Sequence, residues 1–123
     1  KTTFLSELAV QYSYPMINTN LHISESLLEY TSKQRALKID KLIEEHLQKY
    51  QSEILILDNI EVLFSPELQQ DPLRLLLHLA RNRTIIAAWP GEFTGDSLMY
   101  AKPSHPEFKR YQKPECIIVS IHE

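Results

Sequence analysis

The residues whose types and spacing could do chemistry stand at the start of the chain and near its middle. The sequence opens KTTFLSEL. Lys1-Thr2, with Thr3 beside them, match the last positions of a phosphate-binding loop, G-x-x-x-x-G-K-[ST]. In such a loop the lysine ammonium reaches the β/γ-phosphates and the hydroxyl after it coordinates Mg²⁺. Much later, ILILD (54–58) puts Asp58 directly after four apolar residues. An aspartate at the tip of a second buried strand holds the same Mg²⁺, directly or through water. Taken singly, each signal is weak, because a lysine at a chain start is ordinarily solvated and an aspartate after a strand is ordinarily a turn or cap residue. Their conjunction is the informative feature. It assigns Lys1 to phosphate charge, Thr2 and Asp58 to the metal, and ATP with Mg²⁺ as the ligands.

Hydrolysis would need a group to position the attacking water. Many P-loop ATPases carry a glutamate directly after this aspartate, but here that position is Asn59 and the next carboxylate is Glu61. Asparagine orients water by hydrogen bonding and is a poor proton acceptor. Glu61 either reaches the γ-phosphate or faces solvent, so slow hydrolysis and ATP binding used as a switch both stand as readings. Arg81 and Arg83 precede the apolar run TIIAAW, at the end away from the expected phosphate edge. They solvate a helix end, where the dipole favours cations, or serve a subunit contact. The segment YAKPSHPEFKRYQK (100–113) interleaves aromatics with Lys109, Arg110 and other cations. It suits a surface loop packing its rings better than a nucleic-acid groove, and Arg110 is also a candidate to act across an interface. The five histidines have no metal-ligand spacing, so zinc is not expected.

These residues need elements to place them. Phe4, Leu5, Leu8, Ala9 and Tyr12 form a helical stripe over 2–12, followed by a short strand over 16–20. A helix over 24–32 capped by Ser24 is expected next, then a stronger one carrying Ile39, Leu42, Ile43, Leu47 and Tyr50 on one face. Ile54–Leu57 reads as a strand buried on both faces. Asp71 and Pro72 suit the N-cap and first position of a further helix. TIIAAW (84–89) and CIIVSI (116–121) read as two more buried strands, with an irregular stretch over 90–115 and one helical turn starting at Ser104. The alternation predicts a three-layer α/β sandwich with a mostly parallel sheet. A strand and glycine loop are expected upstream of Lys1, because a phosphate-binding loop joins a strand to a helix.

At 123 residues the chain supports one domain over 1–123. Its net charge of −3 creates no overall field toward nucleic acid or anionic membrane. The apolar runs fall far short of the roughly 20 residues of a membrane span. One cysteine, Cys116, excludes an internal disulfide and fits a reducing cytoplasm.

Read together, KTTFLSELA, PMINTNLHISESLLE, ILILDNIEVLF, QDPLRLLLHLARNRTIIAAWPG and YAKPSHPEFKRY resemble the BrxF-like P-loop proteins of type 3 bacteriophage-exclusion (BREX) defence systems. The resemblance runs from Lys1 to about Tyr111, and its most distinctive parts are LDNIEVLF, DPLRLL with RNRT, and AAWPG. It implies a P-loop NTPase with a RecA/AAA-like core that lacks an appended lid. Its implied partners are a large ATPase, a DNA methyltransferase, a helicase and an alkaline-phosphatase-like protein, or further copies of itself. DNA contact would be indirect. Under this resemblance Lys1 and Thr2 match the end of the Walker A motif and Asp58 matches Walker B. The glycine loop is the part of the pattern that the chain does not contain.

Overall fold

The computed structural model describes residues 2–101 and 104–121. The chain groups into two compact units, Lys1–Ala88 and Trp89–Glu123.

The first unit is α/β. Helix α1 (Thr2–Tyr12) follows the apolar stripe and buries Leu5. It ends when Ser13 turns left-handed (φ 57°) and Tyr14 N–H closes back on the Ala9 carbonyl at 3.1 Å, a Schellman-type stop. Strand β1 (Met16–Asn18) is shorter than the 16–20 expected. The cause is Asn18, whose side chain accepts from Leu21 N–H at 3.1 Å and so starts α2 (Thr19–Leu27) at once. The helix expected at 24–32 is thereby displaced toward the N-terminus, and Ser24 lies inside α2, its hydroxyl donating to Asn20 at 3.2 Å. Helix α3 (Ser32–Leu47) opens with a reciprocal capping box between Thr31 and Gln34 and buries Ile39, Ile43 and Leu47.

Strand β2 (Ile54–Asp58) forms where the apolar run predicts it, and two short 3-10 turns, Ile60–Phe64 and Pro66–Leu68, follow. Helix α4 (Pro72–Leu79) starts as read, with Asp71 accepting from Arg74 N–H at 3.2 Å and Pro72 at the first position. Strand β3 (Thr84–Ala87) stops short of Trp89.

The three strands form one parallel sheet in the order β1-β2-β3, pairing Met16 with Ile56, Asn18 with Asp58 and Ile56 with Ile86. Leu55, Ile56 and Leu57 are all fully buried. Successive strand residues point to opposite faces, so both faces of β2 are covered. Helix α1 lies against the face of Met16, whose sulfur is 3.6 Å from the Ser6 hydroxyl.

The second unit is an antiparallel meander, β4 (Glu92–Thr94), β5 (Ser97–Tyr100) and β6 (Lys109–Gln112), in that order. It occupies most of the stretch expected to be irregular. Thr94 pairs with Ser97, so Gly95 and Asp96 make a two-residue hairpin turn, with Gly95 at φ 63°. Glycine is favoured there by the positive φ that such turns require. At Gly91 a Cβ would stand 1.9 Å from the Met99 carbonyl oxygen, so the chains approach too closely for any side chain. No helical turn starts at Ser104; the Glu107 N–H donates instead to His105 Nδ1 at 3.0 Å. CIIVSI is not a strand either. Ile117 is 93% exposed and Val119 71%. An extended apolar run becomes a buried strand only when a neighbour supplies the hydrogen-bond ladder, and among the described residues none pairs with 116–121.

Candidate functional site

All three parallel strands deliver their C-terminal ends to one edge, the edge at which open α/β sheets take ligands. Asn18 and Asp58 are register partners there, and Leu57 pairs with Ala87 beside them. The first residue of α1 reaches the same edge, where the Thr2 hydroxyl donates to Asp58 Oδ1 at 3.2 Å across 56 positions of sequence. Thr2 is exposed, whereas Asp58 is only 5% exposed. Among the described residues the Thr2 hydroxyl is the one donor to this carboxylate, and a buried charge is costly unless it is compensated. Such a carboxylate is also a ready ligand for a hard cation.

The donor set fits Mg²⁺. A hydroxyl and a carboxylate are hard oxygen ligands, and Mg²⁺ commonly takes one or two protein oxygens plus substrate phosphates and waters. Among the described residues no three His, Cys, Asp or Glu side chains gather into a closed cage. A cation at Asp58 would therefore depend on oxygens brought by its ligand. Helix α1 also suits an anion, since its first turn holds no acidic residue and its leading N–H groups carry the positive end of the helix dipole.

The other sequence-derived candidates divide clearly. Lys1 lies outside the described residues. Thr3 is exposed on α1. Asn59 is partly buried and left-handed (φ 53°, ψ 56°), and its side chain does not cap the 3-10 turn that follows. Glu61 is exposed on that turn and has no described bond to Thr2 or Asp58. Arg83 is committed elsewhere. Its guanidinium donates to the Leu47 and Tyr50 carbonyls at 3.1 and 3.2 Å, closing the C-terminal end of α3. Arg81 is exposed just before it. Both precede β3 and so stand at the far end of the sheet from Asp58. In the second unit Lys109 is half-buried on β6, and Arg110 donates to the Ser97 hydroxyl at 3.3 and 3.4 Å.

One residue at the edge escaped the sequence reading. Thr19, next to Asn18, is 4% exposed and its hydroxyl has no hydrogen-bond partner. The local reason is its place as the first residue of α2. A threonine deeper in a helix would bond the carbonyl four positions earlier, but here that is Pro15, whose oxygen accepts from Ile56 N–H at 2.9 Å. The signal was the Asn-Thr-Asn run after an apolar pair, which marks a cap rather than a longer strand.

Comparison with protein-family models, with curated proteins and with solved structures returns no match.

Proposed function

We propose that the chain is the core of an ATP-binding, Mg²⁺-dependent P-loop subunit, and that it serves a bacterial phage-defence complex of the BREX type. The observation that carries the nucleotide reading is the hydrogen bond from Thr2, at the start of α1, to the buried Asp58 at the tip of β2. It joins the two positions that a P-loop protein needs to hold a nucleotide-bound cation, and sequence proximity cannot account for it. The assignment to phage defence rests on the resemblance of LDNIEVLF, DPLRLL, RNRT and AAWPG alone.

In this reading the strand and glycine loop precede Lys1, and Lys1 balances phosphate charge. Thr2 and Asp58 hold the cation, whose chemistry when bound is to neutralise charge on the β- and γ-phosphates. The N-terminus of α1 favours the anionic ligand. Asn59 orients a water by hydrogen bonding but cannot take its proton efficiently. An exposed Glu61 is poorly placed for that task as the chain stands, so turnover is slow.

The same facts favour a second reading, a nucleotide-switched adaptor that binds ATP without hydrolysing it. No carboxylate follows Asp58 directly, and the exposed apolar side chains of Ile117 and Val119 offer contact area. Steady-state ATP hydrolysis by the full-length protein, with the segment assigned before Lys1, separates the two. Turnover abolished in Lys1→Ala supports the ATPase, and a reduction in Glu61→Gln would assign the water-positioning role to Glu61. Lys1-dependent binding of Mg-ATP without turnover supports the adaptor, and absence of both binding and turnover removes the nucleotide reading.

A further inference from the structure

Among the described residues, Thr19 presents a buried side-chain hydroxyl at this sheet edge that has no hydrogen-bond partner. Its position is fixed by two neighbours. Asn18 is the register partner of Asp58, and the Asn18 side chain is occupied in capping Leu21 N–H. The residue that follows, at the junction of β1 and α2, is Thr19, 4% exposed and without a partner for its hydroxyl. Buried polar groups are ordinarily hydrogen-bonded, and an orphan calls for a reason. Packing alone does not supply one, because valine would fill the same shape without an unsatisfied oxygen. Asp58 repeats the pattern across the register pair, as a buried acceptor whose one described donor is the Thr2 hydroxyl. Thr19 at the start of α2 and Asp58 at the tip of β2 both lie at the C-terminal edge of one sheet, and one hydrated ligand there would serve both.

We propose that the Thr19 hydroxyl is a positioning group of the metal–nucleotide site, holding a water of the Mg²⁺ shell from the β1–α2 junction while Asp58 and Thr2 face the cation. The proposal rests on the P-loop reading above and adds a residue to it. Mg²⁺ dehydrates reluctantly and keeps several waters, so protein groups around it act largely by orienting those waters. A hydroxyl suits this task, since it can accept from the water and donate to a phosphate or carboxylate oxygen at once. Thr19 becomes satisfied only when the site fills. Nucleotide binding would then also tighten the start of α2, which packs on the 3-10 turn carrying Glu61.

The test is a Mg²⁺ titration of ATP binding at equilibrium by the full-length protein, with Thr19→Val, Thr19→Ser and Thr2→Val alongside wild type. The proposal expects Thr19→Val to raise the Mg²⁺ concentration for half-saturation by roughly tenfold, the scale of losing an outer-sphere partner. Thr19→Ser should stay near wild type, and ATP affinity without Mg²⁺ should be the same in all of them. The free Thr19→Val protein should be as stable to urea as wild type or more so, because it loses an unsatisfied group. If Thr19→Val leaves the Mg²⁺ dependence unchanged while Thr2→Val shifts it, the role of Thr19 is overturned and the site stands. If Thr19→Val loses stability while its Mg²⁺ dependence is unmoved, the hydroxyl is structural and the proposal also fails. If wild type binds no Mg-ATP, the P-loop reading falls and the Thr19 role with it.

Discussion

The two ends of the parallel sheet are built from the same strands and solve opposite problems. At the N-terminal end several described polar groups hold one another. Arg83 holds two carbonyls of the α3 terminus. The Ser52 hydroxyl donates to the Ile54 carbonyl at 2.7 Å and accepts from its N–H at 3.3 Å. Thr84 N–H donates to Glu53 at 2.8 Å. At the C-terminal end Asp58 is buried with one described donor, Thr19 has none, and Asn59 is left-handed without capping anything. Local rules are expected to fail where a fold has work to do, and Asp58, Asn59 and Thr19 gather at this edge, while the buried Nε2 of His46, on the last turn of α3, is a further unpaired group away from it.

That contrast can be broken by mutation. The largest effect belongs to Asp58→Asn, which should weaken Mg-ATP binding by roughly 100-fold. The same change should leave urea stability equal or higher, because it removes a buried carboxylate whose one described donor is a neutral hydroxyl. Isothermal titration and urea unfolding on one preparation check both halves. A stability loss equal to a core truncation would mean that Asp58 is structural. Arg83→Met should behave in the reverse sense, costing about 1–3 kcal/mol by leaving two carbonyls unpaired while Mg-ATP affinity holds. Ser52→Ala is a milder version, expected to cost about 0.5–1.5 kcal/mol, again with no change in ligand affinity.

The smallest effect is a pH dependence. Burial, then the nearby His22, then Lys49 hold the His46 imidazole below its ordinary pKa of 6.5. Its ring lies 4.3 Å from that of His22, and its Nε2 is buried without a partner. The folded pKa is depressed, so the unfolded chain takes the proton more readily. The contribution to stability is full above about pH 6.5 and is lost as pH falls through the folded value. Urea midpoints measured across that range should drop on acidification, and less so in His46→Gln. An identical pH profile in the variant would assign the acid sensitivity to other groups.

How much of this was legible in the sequence depended on whether the signal was local. Helix α1, strand β2 and the Asp71-Pro72 start of α4 rest on periodicity, an unbroken apolar run and a cap, all visible within a dozen residues. Thr2 and Asp58 were readable as a pair because a motif and a strand tip each carry a type-specific cue. The start of α2 was misplaced because Asn18 and Ser24 are both good caps, and only the end of β1 decides between them. CIIVSI has the composition of a buried strand, but strand formation depends on a neighbour that composition cannot announce. The meander of the second unit was overlooked because its prolines suggested irregularity, although Gly95-Asp96 between two pairing segments was a usable hairpin cue. The Asn-Thr-Asn run could mark the cap beside Thr19, but not its unsatisfied hydroxyl, which is a property of packing.

The most direct test of the central claim is ATP affinity with and without Mg²⁺, for wild type and for Thr2→Val in the full-length protein. Valine keeps the shape of Thr2 and removes only the hydroxyl that meets Asp58. The account expects Mg²⁺ to strengthen ATP binding clearly in wild type and to do little in the variant, with metal-free affinity equal in both. Equal Mg²⁺ dependence in the two proteins would contradict it, and would reduce the Thr2–Asp58 contact to a tether between α1 and the sheet.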